Sequence, residues 1–375
     1  MNIQSVDLKG QYIRIKKEIN AGIKEVIDTT SFINGPKVKE FARNMETYTG
    51  SKHVIPCGNG TDALQIALMS LGLKPNDEII LPAFAYAACV EVTGLLGFTP
   101  VLADVDSGTF NIMPSEIKQC LTAQTKVIMV VHLFGQCCDM EPILDFAEKH
   151  SLYVIEDNAQ AIGAYYTFSD GTRKQSGTMG HIGCTSFFPT KNLGCYGDGG
   201  ALSTNDDELA GRIAMIANHG QKIKYEHTII GCNSRLDSIQ AAILNVKLNY
   251  LDEYGQKRYN AAQYYTEHLR SMDGIIVPKE VPFSSHVYNQ YTLKVAGEKR
   301  DALKQFLADA GIPTTVYYPG PLHKQKAFVG IIRKVNSLTT AEELSSSVLS
   351  LPIHTEITTA QQDYIINKIK EFFLL

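Results

Sequence analysis

Short apolar runs alternate with amphipathic stretches through the first two-thirds of the chain. The runs predict strands over 53–56, 78–82, 100–104, 126–132, 152–157, 184–188 and 201–204. Between them, apolar residues at three- and four-residue spacing predict helices over 62–71, 115–121 and 142–150. Val127-Ile128-Met129-Val130-Val131 shows no polar alternation, the pattern of a strand buried on both faces. Strand and helix in turn predict an α/β fold, a mostly parallel seven-stranded sheet with helices on both sides.

From Arg235 the pattern changes. Leu236, Ile239, Ile243, Val246, Tyr250 and Tyr254 recur at helical spacing and predict one long helix leading away from the sheet, with Gly255 as the place for a kink. Beyond it, apolar segments at 289–295 and 314–318 and helical patterns at 301–310 and near 360–373 predict a smaller α+β unit. The expected division is a large domain over 1–245 and a small one over 246–375, joined by the long helix that starts near 235.

Composition narrows the function. With 44% hydrophobic and 20% charged residues the chain reads as an ordinary globular protein. A formal charge of −4 argues against a partner that is nucleic acid. No apolar run reaches membrane-spanning length, and the first residues lack the apolar core of a secretory signal, so a cytoplasmic protein is expected. The 8 cysteines show no C-x-x-C pairing and predict buried free thiols. His181 and Cys184 have no second ligand pair, so no metal site is expected.

The candidate chemistry gathers at strand ends. Lys191 lies in the loop Ser186-Phe187-Phe188-Pro189-Thr190-Lys191-Asn192-Leu193-Gly194, 34 residues after Asp157, which closes an apolar run with Gln160 just beyond. A loop amine and a strand-end carboxylate are what pyridoxal phosphate needs, the amine for its aldehyde and the acid for its ring nitrogen. Gly58-Asn59-Gly60-Thr61-Asp62-Ala63 follows a strand and opens a helix, where free N–H groups and the helix dipole attract an anion. A dinucleotide reading of that turn needs an acid ending the next strand; Asp77 and Glu78 instead begin it. Tyr86 offers a ring near the same edge. Singly, each has a plain alternative: a solvated lysine, a capping glycine turn, a packed tyrosine. Their shared place outside the carboxyl ends of strands is what argues for one site.

These residues resemble a known family. Asn59-Gly60-Thr61-Asp62-Ala63-Leu64, Glu156-Asp157-Asn158-Ala159-Gln160, Ser186 to Lys191, Tyr196-Gly197-Asp198-Gly199-Gly200, Gly231-Cys232-Asn233-Ser234-Arg235-Leu236-Asp237 and Tyr318-Pro319 with Pro321-Leu322-His323 are similar to the DegT/DnrJ/EryC1/StrS sugar aminotransferases. The resemblance implies the fold type I of pyridoxal phosphate-dependent transferases, like that of aspartate aminotransferase. It also implies a homodimer with shared active sites, glutamate as amino donor and a nucleotide-linked ketosugar as acceptor. Lys191 would be the catalytic lysine, with pyridoxal 5'-phosphate alternating with its pyridoxamine form. Asp157 would meet the ring nitrogen, Gln160 and Tyr86 would flank the ring, and Gly60, Thr61 and Ser186 would hold the phosphate with Asn233 of the second subunit. Arg235, Tyr317, Tyr318 and His323 would face the nucleotide sugar. The stretches 185–188 and 193–200 are similar to enzymes that aminate a 3-keto UDP-N-acetylglucosaminuronic acid. Many members carry histidine before the Tyr-Pro pair, whereas this chain has Tyr317. Other UDP- or dTDP-ketosugars, amination at C4, and a non-catalytic regulator are the alternatives.

Overall fold

The computed structural model describes residues 3–334 and 337–374. Seven strands form the central sheet in the order His53–Cys57, Gly200–Thr204, Ile182–Ser186, Tyr153–Asp157, Thr125–Val131, Glu78–Pro82 and Thr99–Ala103. A two-residue strand, Arg333–Lys334, adds to the far edge, parallel to Thr99–Ala103. Gly200–Thr204 runs against both its neighbours; the other pairings are parallel. Six carboxyl ends of strands and the start of Gly200–Thr204 therefore share one edge.

The apolar runs form this sheet because both faces are covered. On one face Ile79, Leu81, Val127, Met129 and Ile155 pack with the helix Gly60–Ser70. On the other, Ile80, Val101, Ile128, Val130 and Val154 join a second cluster. Alternate residues of a strand point to opposite faces, so each central strand feeds both cores. The run expected to end at 188 stops at Ser186. Phe187 leaves the ladder to bond loop residues, its N–H to Gly199 O at 2.8 Å and its carbonyl to Cys195 N at 2.8 Å.

The single long helix expected from 235 is two. Ser238–Leu248 and Leu251–Leu269 are separated at Asn249-Tyr250, while Gly255 lies inside the second helix. Asn249 bonds back to Asn245 O at 3.3 Å, the local competition for backbone groups that makes asparagine a weak helix former. Tyr250 caps the second helix and its ring stacks on that of Tyr254 at 6.0 Å, so the apolar spacing resumes directly after the break.

A three-stranded antiparallel sheet, Ile275–Ile276, Tyr291–Val295 and Val348–Leu351, lies with the helices Leu251–Leu269, Arg300–Asp309 and Thr359–Leu374 around a core of its own. Ile3 is buried in that core. Gln4, Ser5 and Val6 then wall a cavity of about 350 Å3 together with Thr190, Gln290 and Tyr317. Next, the helix Leu8–Asp28 lays Ile15 and Ile19 on Ile243 of Ser238–Leu248. Among the described residues no helix is long and apolar enough to cross a membrane, and seven of the eight free cysteines are buried.

Candidate active site

The glycine turn is built for close approach. Asn59 caps the helix Gly60–Ser70 by accepting from Asp62 N at 2.8 Å. A side chain on Gly60 would put its Cβ 2.6 Å from Cβ of Ser186, so the helix amino end and the strand-end hydroxyl lie together only because residue 60 has none. Thr61, exposed in the first turn, stands at the same place. Ser234 Oγ accepts from Gly58 N at 2.9 Å and donates to Asp62 at 2.6 Å. That bond ties the segment carrying Asn233 and Arg235 to the turn. Asn233 is exposed and Arg235 half-buried.

Asp157 and Lys191 lie close enough for each to feel the other's charge. Burial raises the pKa of Asp157, while a bond from Ala159 N at 3.0 Å and the charge of Lys191 pull it back down. Cys89 Sγ donates to the other carboxylate oxygen at 3.5 Å. Burial lowers the pKa of Lys191 and the charge of Asp157 opposes it. The lysine amine therefore gives up its proton more readily than an ordinary one.

Gln160 is fixed at both ends, accepting from Phe134 N at 2.7 Å and donating to Tyr318 OH at 3.1 Å. Tyr86, 59% exposed, sits with its ring 6.1 Å from that of Tyr318. Tyr317 is half-buried with its ring 5.7 Å from Tyr318. His323 stands apart from this group. It is buried, with Nε2 on Glu342 Oε1 at 2.8 Å and Nδ1 without a protein partner.

Sequence reasoning missed the supports. Glu156 turns away from Asp157 and accepts from Gly177 N at 2.8 Å and Met179 N at 2.6 Å. His132 Nδ1 accepts from Cys138 N at 3.1 Å, so its proton lies on Nε2, donated to Glu156 Oε2 at 2.8 Å. Asn192, next to Lys191, donates to Val287 O at 3.0 Å and accepts from Asn289 at 3.2 Å. The polar Asn192 and Glu156, each beside a site residue in an apolar stretch, were the available signals. Asn289 gave none, being distant in sequence.

The set fits a flat ring with an anionic arm. The helix amino end with two hydroxyls suits a phosphate, the buried carboxylate a protonated ring nitrogen, and the low-pKa amine an aldehyde.

Comparison with known proteins agrees. The model of the DegT/DnrJ/EryC1/StrS aminotransferase family matches residues 13–370. The chain is 45% identical to a pleiotropic regulatory protein of Geobacillus stearothermophilus, over 100% of this chain and 99% of the other. It is 43% identical to UDP-2-acetamido-2-deoxy-3-oxo-D-glucuronate aminotransferase of Pseudomonas aeruginosa, over 96% and 97%. A DegT DnrJ EryC1 StrS aminotransferase from Brucella abortus superposes with a TM-score of 0.94 at 39% identity, covering 99% of both chains. NtdA from Bacillus subtilis with bound cofactor PMP does so at 0.88 and 32% identity, covering 96% of this chain and 82% of the other.

Proposed function

The chain belongs to the DegT/DnrJ/EryC1/StrS aminotransferase family, and from that premise we propose that it moves the amino group of glutamate to C3 of UDP-2-acetamido-2-deoxy-3-oxo-glucuronate. It is a pyridoxal phosphate-dependent aminotransferase of nucleotide-linked ketosugars. The observation that carries the reading is the Lys191 amine, lowered in pKa, beside the buried Asp157 at the carboxyl edge of the sheet.

Bound there, pyridoxal phosphate supplies an aldehyde for the migrating nitrogen and a protonated ring that takes up an electron pair. Gly60 and Thr61 N–H groups with the hydroxyls of Thr61 and Ser186 hold its phosphate, joined by Asn233 from a second copy of the chain. Asp157 holds the ring N–H, and Tyr86 and Gln160 flank the ring. Lys191 Nζ takes the proton from the α-carbon of glutamate and later delivers one to the sugar carbon that receives nitrogen. Arg235, Tyr317 and Tyr318 orient the nucleotide sugar; His323, held by Glu342, supports them through the turn Leu322–Lys324.

The shared site implies a homodimer. Exposed apolar side chains support it, among them Ile223, Tyr225 and Ile230 near the Asn233 segment, each more than 60% exposed. Sedimentation that finds only single chains would remove this part. A two-unit division is proposed with it, on the separate core of the carboxyl-terminal elements; residue 245 itself lies inside the helix Ser238–Leu248, whose Leu244 and Leu248 pack with Phe187 and Leu193, so the boundary moves past that helix.

Lys191→Arg keeps a cation but no usable nucleophile, because guanidinium stays protonated. The purified variant should lose the cofactor's bound absorbance and all amino transfer; retained turnover overturns the reading. A panel of UDP- and dTDP-linked 3- and 4-ketosugars decides the acceptor. Turnover on every sugar except the uronate would move the assignment to a neutral sugar. A purely regulatory role is disfavoured by the paired Asp157 and Lys191, which regulation has no need of.

A further inference from the structure

Lys247 is a buried amine that the chemistry above does not use. It is 2% exposed, and its charge has no carboxylate partner among the described residues. Its Nζ donates to Gly194 O at 2.6 Å and lies 4.5 Å from the centre of the Tyr196 ring. Burial lowers its pKa to about 8. Burying an unpaired ammonium is costly, and a methionine would fill the same volume without that cost. The hydrogen bond and the cation–π contact are what the amine adds.

Two turns earlier on the same helix face, Gln240 Oε1 accepts from Tyr196 N at 2.8 Å, and its Nε2 reaches Tyr196 O at 3.5 Å. A Cβ on Gly197 would lie 3.0 Å from that Nε2, so a larger residue there would push against the Gln240 amide. The loop after Lys191 is rich in glycine, with Gly194, Gly197, Gly199 and Gly200 within a few residues, and the helix adds to the ties that Asn192 makes to Val287 and Cys195 N makes to Phe187 O. The helix Ser238–Leu248 is in turn firmly seated. Its Ser238 Oγ accepts from Gly35 N at 3.2 Å, and Asn245 accepts from Asn44 at 2.9 Å.

We propose that Gln240 and Lys247 are positioning residues for Lys191: one helix face grips the glycine-rich loop just beyond the reactive amine and holds that amine in place. The inference rests on reading Lys191 as the reactive amine. Misplacing a reacting group by an ångström costs about 100-fold in rate, which sets the scale of what the grip protects.

The test uses Lys247→Met and Lys247→Arg in the full-length protein. Free of cofactor, each is pulse-labelled with acetic anhydride across a pH series, and the acetylation of Lys191 is read by mass spectrometry. With cofactor, kcat and KM are measured for both substrates. In Lys247→Met the labelling midpoint of Lys191 should rise toward that of ordinary lysines, and kcat should fall about 10- to 100-fold with KM within about twofold. Lys247→Arg, which keeps a cation and donors, should recover part of kcat. Wild-type labelling and kcat in Lys247→Met overturn the proposal. So does a loss of thermal stability while the Lys191 midpoint stays in place. If Lys247→Met does not fold, Gln240→Met releases Tyr196 from the same face, and the same two outcomes decide. A Lys191→Ala control separates the failures: if it retains turnover, the role of Lys191 itself falls, whatever the grip does.

Discussion

At Gly60 the chain can carry no side chain, because the place of a Cβ is taken by Ser186. Gly60→Ala should therefore push the helix amino end away from the strand-end hydroxyl. We expect the dissociation constant for pyridoxal phosphate to rise by roughly tenfold or more, about the worth of one charge-assisted hydrogen bond. Fluorescence titration measures it, and an unchanged constant would take Gly60 out of the cradle. The neighbouring charges obey a similar economy of space. Asp157 and Lys191 are both shifted toward neutrality by burial, and each restrains the other. Removing the carboxylate in Asp157→Ala should lower the Lys191 pKa further, since the opposing charge is gone while the burial stays. Amine labelling against pH would show this as an earlier midpoint, and a later one would refute it.

Among the elements, the strand Tyr153–Asp157 does two jobs with successive residues. Asp157 carries the carboxylate that we propose for the cofactor ring, and Glu156 on the opposite face organises the turn at Gly177–Gly180 and holds His132. Glu156→Gln sets an amide NH2 against groups that all donate. Stability in urea should fall by roughly 3–5 kcal/mol, the scale for breaking a fully buried polar pair. A loss under about 1 kcal/mol would mean that the turn rearranges around it.

Such cross-chain supports also mark the limit of what the sequence reveals. The sheet was legible because runs such as 127–131 are buried on both faces, and period and burial then say the same thing. That Asp157 and Lys191 lie within range of each other's charge could be expected, because each sits at or just beyond a strand end that the pattern locates. Asn289 and Lys247 were not legible, since each reaches a loop at least 53 residues away and nothing local marks it; Gln240 stands in a stretch similar to the family, Gln240-Ala241-Ala242, but its partner Tyr196, 44 residues away, was not legible. The break at Asn249-Tyr250 hid for a related reason. Tyr250 caps the second helix and stacks on Tyr254 within it, so the apolar spacing continues with little sign of the interruption just before.

The whole molecule should be sensitive to mild acid. His286 is buried and stacked on Tyr288 at 3.7 Å, and burial lowers its pKa to about 3. Burial and the charge of Arg258 lower that of His354 to about 4. Both are neutral when folded yet take a proton when unfolded below about pH 6.5. The unfolded state thus binds more protons, and stability falls as pH drops from about 6.5 toward the folded values. Each histidine contributes at most about 1.4 kcal/mol per pH unit in that window. The melting temperature should decline between pH 7 and pH 5, less steeply in His286→Gln; a flat profile in the parent would contradict the assignment.

The opening residues of the chain have a practical consequence. Ile3 is sunk in the carboxyl-terminal core, and the next three residues wall the cavity that Thr190, neighbour of Lys191, also lines. Trimming them, or pulling on them with a fused tag, would open that cavity and strip Ile3 from the core.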